Sequence, residues 1–94
     1  MEIRSIRHKG LLRLFERNDG KGLPSVRLGK IRNIITALAN AEDVEEIQTM
    51  PGWRLHPLKG GRRGTWAISL TGNWRITFQV MDNTIYDLDL EGYH

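Results

Sequence analysis

The spacing of apolar residues changes once along this chain, at Pro51-Gly52, and that change sets the architecture. Before it, apolar residues recur at helical intervals. Leu11, Leu14 and Phe15 follow the i, i+3, i+4 rule within His8–Arg17. Leu28, Ile31, Ile35 and Leu38 then line up as a second apolar stripe. After Gly52 the apolar residues alternate, with Trp74, Ile76, Phe78 and Val80 on one side of an extended chain. A chain with its helices first and its strands afterwards is expected to be α+β. The sheet should be mostly antiparallel, with two N-terminal helices packed on one face.

Turn signals divide the elements. Glu2–Ile6 reads as a short first strand, and Asn18–Gly22 is a turn rich in breakers. Pro24 suits the first turn of the second helix, which Asn40 and Ala41 end. Asp43 is placed to cap a further helical turn over Asp43–Ile47. Strands are expected at Trp53–Leu58, Thr65–Leu70, Asn73–Val80 and Thr84–Leu90. A basic loop (Lys59–Gly64), a hairpin at Thr71-Gly72 and a turn at Asp82-Asn83 would join them. Alternation turns Trp53, Leu55, Trp66, Ile68 and Leu70 toward the helices, together with Trp74–Val80 at even positions and Tyr86, Leu88 and Leu90. It leaves Arg54, His56, Ser69, Arg75, Thr77 and Gln79 on the opposite face, with Asp87 and Asp89 beyond them.

The 94 residues allow one domain, spanning 1–94. With no cysteine, disulfides and thiolate metal sites are excluded. No apolar run approaches the roughly 20 residues of a membrane span, and MEIRSIRHKG lacks the apolar stretch of a signal peptide, so a cytoplasmic protein is expected. The formal net charge of +3 conceals a segmented pattern. Residues 51–75 carry Arg54, Lys59, Arg62, Arg63 and Arg75 and no acid, interleaved with Trp53, Trp66 and Trp74. Cations beside flat rings suit single-stranded nucleic acid, through phosphate pairing and base stacking. They equally describe a solvated basic loop beside core tryptophans.

His56, Arg75, Tyr93 and His94 form a candidate acid–base set. The histidines at positions 8, 56 and 94 have no metal-ligand spacing, KGGRRG is not a phosphate-loop motif, and Ser69 has no evident His/Asp partner. No metal or cofactor is expected. Such a set suits RNA cleavage by the adjacent 2′-OH, in which a histidine moves the proton and an arginine stabilises the phosphorane. The alternative is a packed strand histidine and a frayed terminus.

"RLHPLKG" at Arg54–Gly60, "GTWAISLTGNWRITF" at Gly64–Phe78 and the terminal "LEGYH" resemble the HigB toxins of the RelE superfamily. "HKGL" and "LFE" in the first helix fit the same family. The resemblance covers essentially the whole chain. It implies a microbial-RNase-like fold and the toxin half of a bacterial type II toxin–antitoxin pair. It implies a ribosome-dependent, metal-independent endoribonuclease cutting mRNA. It also implies a helix-turn-helix, HigA-like antitoxin, with operator DNA bound only through that antitoxin. Carried over by motif, the catalytic residues are His56, Arg75, Tyr93 and His94. Arg54, Lys59, Arg62 and Arg63 would hold RNA. Many relatives have an acidic residue before Tyr-His, where this chain has Gly92. Either Glu91 or the carboxylate of His94 takes over that charge, or the toxin is weaker. A catalytically weak RNA-binding or co-repressor module is the alternative function.

Overall fold

Helix α1 (Lys9–Arg17) starts one residue later than its apolar spacing indicates, because His8 caps it. The His8 Nδ1 accepts from the backbone N–H of Gly10 (3.0 Å) and Leu11 (3.3 Å), two of the donors a helix start leaves unpaired. Asn18, in the left-handed region at φ 54°, ends it. Pro24 precedes a single 3-10 turn (Ser25–Arg27) rather than opening the second helix. Helix α2 follows directly (Leu28–Asn40) and buries Ile31, Ile34, Ile35 and Leu38. The Met1 amino group donates to Leu38 O (3.0 Å), Ala39 O (3.1 Å) and Ala41 O, serving carbonyls that the end of α2 leaves open. Helix α3 (Val44–Gln48) is capped as expected by Asp43, whose Oδ1 accepts from Glu46 N at 3.2 Å.

The strands are β1 (Glu2–Ile3), β2 (His56–Pro57), β3 (Thr65–Ser69), β4 (Trp74–Met81) and β5 (Thr84–Gly92). The computed structural model describes residues 1–92, so Tyr93 and His94 lie outside the described residues. One sheet forms in the order β1-β5-β4-β3-β2. It is antiparallel except where β1 runs parallel to β5.

The expected strand Trp53–Leu58 shrinks to two residues. Its ends still bond along β3: Trp53 O accepts from Ser69 N and Leu58 N donates to Thr65 O, each at 2.8 Å. Between them Arg54 takes φ +52°, which no extended strand accommodates, and Pro57 has no N–H for the ladder.

The core lies between the helices and the inner sheet face. Leu11, Ile31, Ile34 and Leu38 meet Ile68, Ile76, Phe78, Ile85 and Leu88, all fully buried. Two aromatics depart from the expected pattern. Trp74, at the strand's beginning, is 40% exposed instead of packed under the helices. Tyr86 is not on the inner face either. A bulge in β5, between the pairs Thr77↔Asp89 and Gln79↔Tyr86, puts Ile85 in the core and turns Tyr86 to the outer side opposite Gln79. Asp87 occupies the bulge at φ +54°.

Candidate active site

Cross-strand partners in an antiparallel sheet point to the same side, so the register defines the outer face row by row. One row runs His56, Ala67, Thr77, Asp89. The next runs Ser69, Arg75, Glu91. Rows two residues apart along a strand are separated by about 7 Å. His56 and Arg75 thus stand on one face, over a floor formed by the buried Ala67 and Thr77.

The orientation of His56 is fixed by its own chain. Its Nδ1 lies 2.7 Å from Arg54 O. A carbonyl oxygen can only accept, so Nδ1 carries the proton in this bond. In the neutral ring the lone pair is then on Nε2, where a base needs it. The left-handed backbone at Arg54 is what turns that carbonyl onto the ring.

Glu91 is the centre of the polar network. Arg62 donates to both of its carboxylate oxygens, at 2.6 Å each. Thr77 Oγ1 donates to Oε2 at 2.5 Å, and an Arg75 terminal nitrogen lies 3.5 Å from Oε1. The Arg62 hydrogen bonds hold the Glu91 carboxyl far below its usual range, at about 2. Burial opposes this shift, while Thr77 and the charges of Arg62 and Arg75 reinforce it. The same pairing raises Arg62 further.

The structure therefore brings together His56, Arg75 and, through its carbonyl, Arg54. Arg62 reaches the same face from a 3-10 turn at Gly60–Arg62, but it is tied to Glu91. Lys59 and Arg63 flank that turn and are exposed. Tyr93 and His94 are outside the described residues. No group of His, Asp and Glu that could hold a metal occurs among the described residues. The sequence offers Glu91 only as a replacement for the acid absent at Gly92, and its pairing with Arg62, Thr77 and Arg75 is the part of the site that residue-by-residue reading missed. Counting back from the Asp82-Asn83 turn without a bulge sets Arg75 opposite Leu90, and only the bulge in β5 makes Glu91 its partner.

This fold is that of small bacterial toxins. The chain superposes on the YoeB/ParE toxin from Agrobacterium tumefaciens with a TM-score of 0.62 at 13% identity, over 100% of both chains. It matches one chain of the E. coli DinJ-YafQ toxin–antitoxin complex with a TM-score of 0.56 at 12% identity, over 98% of this chain and 93% of that one. The family relationship is narrower. Residues 4–94 match the RelE-like toxin of type II toxin-antitoxin system HigB, and the chain belongs to this HigB-like toxin family. It is 40% identical over 92 residues to Endoribonuclease HigB of Proteus vulgaris, covering 98% of this chain and 99% of that protein.

Proposed function

We propose that the outer sheet face cleaves RNA, as a metal-independent endoribonuclease acting on mRNA at the ribosome. The observation that carries this reading is the Arg54 O to His56 Nδ1 contact, which presents Nε2 on the face that also holds Arg75. His56 takes the proton from the 2′-OH. Arg75 stabilises the charge that develops on the phosphorane. His94 returns a proton to the leaving 5′-oxygen, and Tyr93 stacks on a base or donates to phosphate. Arg54, Lys59, Arg62 and Arg63 hold the strand, Arg62 exchanging Glu91 for phosphate as RNA enters. The name of the Proteus vulgaris relative supports the reaction class. The family match supports a toxin–antitoxin role. In this reading the toxin acts in the cytoplasm and is restrained by a helix-turn-helix, HigA-like antitoxin that carries the pair to operator DNA.

Ribosomes programmed with end-labelled mRNA provide the test. His56→Ala and Arg75→Ala should each lower the cleavage rate about 10²- to 10³-fold with an unchanged circular dichroism spectrum. Cleavage at the wild-type rate in both variants overturns the assignment. One observation favours a second reading, a binding module that does not cut. Glu91 already occupies Arg62 and sits beside Arg75, lowering the positive charge of the face. RNA bound stoichiometrically by the wild-type protein with no cut product would establish that reading.

A further inference from the structure

A second group of cations lies beside this face. Lys30, Gly52, Arg54, Ser69, Thr71 and Gly72 line a basin of about 420 Å³. Lys30 reaches it from α2, and its Nζ donates to Leu70 O at 3.3 Å. An ammonium has three donors, so this bond steadies the head while leaving others for a ligand. Among the described residues neither Lys30 nor Arg54 forms an ion pair, and no carboxylate lines the basin. Like charges on one small concavity repel, and an anion between them removes that cost.

Two further observations connect the basin to RNA. Ser69 lines the basin and is the direct cross-strand partner of Arg75. Such partners have Cα atoms about 5 Å apart, so the basin adjoins the proposed cleavage face without a break. Arg54 is the hinge between the two. Its left-handed φ of +52° is costly for a side chain with a Cβ, and glycine would adopt it freely. An arginine at this position provides both the carbonyl that orients His56 and a cation lining the basin.

We infer that the Lys30–Arg54 basin is a second phosphate subsite, taking a phosphodiester of the same RNA strand next to the one cut over His56 and Arg75. This rests on the RNA-cleaving reading of the sheet face. Lys30 is thereby an RNA contact on a helix, outside the basic segment 51–75.

The test is a titration of the intact protein, followed by backbone amide chemical shifts, with inorganic phosphate and then with a short single-stranded oligoribonucleotide. The Gly52, Thr71 and Gly72 amides should shift saturably with both. In Lys30→Gln those shifts should be lost, while shifts at Thr77 and Glu91 on addition of RNA persist. RNA affinity should fall, and the slope of log K against log salt should shrink by about 0.7, the value for one lost contact to single-stranded phosphate. Lys30→Arg should restore both. Arg54→Gly gives an independent check, because it suits the backbone and keeps the carbonyl while deleting the cation. It should lower RNA affinity and the salt slope in the same way. RNA-induced shifts confined to Thr77 and Glu91, or an unchanged salt slope in both charge-deleting variants, overturn the subsite. Should His56→Ala cleave normally while the Gly52 and Gly72 shifts persist, the cleavage assignment falls and the subsite stands.

Discussion

A carboxyl held far below its usual range loses its charge only where acid already threatens the fold, and Glu91 is such a group. Its folded value of about 2 lies below the ordinary 4.5. The contacts to Arg62, Thr77 and Arg75 therefore contribute fully above about pH 4.5 and fade as the pH falls toward 2. Glu91→Gln should remove this dependence. Its melting temperature should fall less steeply than that of the wild type between those two pH values. At pH 7 the variant should be less stable by about 1 kcal/mol, since the Arg62 pair is partly exposed. Parallel melting curves across the acid range would show that Glu91 has no such role. His56 and Arg75 could be found by alternation because each sits in a regular pairing with β3. Glu91 could not, because its register depends on an irregularity further along the strand.

The elements show the same division between what periodicity reveals and what it hides. Both long helices and the β3–β4–β5 meander follow from apolar spacing, since burial of one face is what produces that spacing. The departures are local backbone events. Arg54 and Pro57 break up Trp53–Leu58, and neither alters the apolar pattern of Trp53 and Leu55. The bulge at Asp87 is similar. Ile85, Leu88 and Leu90 all reach the core, a spacing that strict alternation forbids. Without it, a strand with Ile85 inward would bury Asp87, Asp89 and Glu91. Asp tolerates the left-handed region better than most residues, and a β-branched residue tolerates it poorly. Asp87→Val should therefore cost about 1–2 kcal/mol in urea denaturation, whereas Asp87→Gly should stay within about 0.5 kcal/mol of the wild type. Equal stabilities for the two variants would mean that the bulge conformation is unstrained.

The molecule as a whole depends on a single core. Its radius of gyration of 12.3 Å is what a folded chain of this length should have. Phe78 sits at the middle of the inner face and is fully buried. Phe78→Ala should cost about 3–5 kcal/mol, a large part of the roughly 5–15 kcal/mol that holds a domain together. Chemical denaturation should show the midpoint collapsing while the outer-face variant His56→Ala retains its own. A small loss for Phe78→Ala would place the main core elsewhere. The fold class was open to reading from one change of period, because it depends on this division into a helical layer and a sheet layer. The charge network was hidden, because it depends on which residues the assembled sheet sets opposite one another.

The placement of β5 between β1 and β4 also bears on the order of synthesis. Glu2 and Ile3 are made early, and their partners Thr84 and Ile85 follow some 80 residues later. A nascent chain lacking β5 has an orphaned first strand, an open edge on β4 and no Glu91 to draw Arg62 onto the face. Such long-range pairing is slow to form. The surface proposed to attack ribosome-bound mRNA therefore cannot take its final form until β5 has been made and has paired with both β1 and β4.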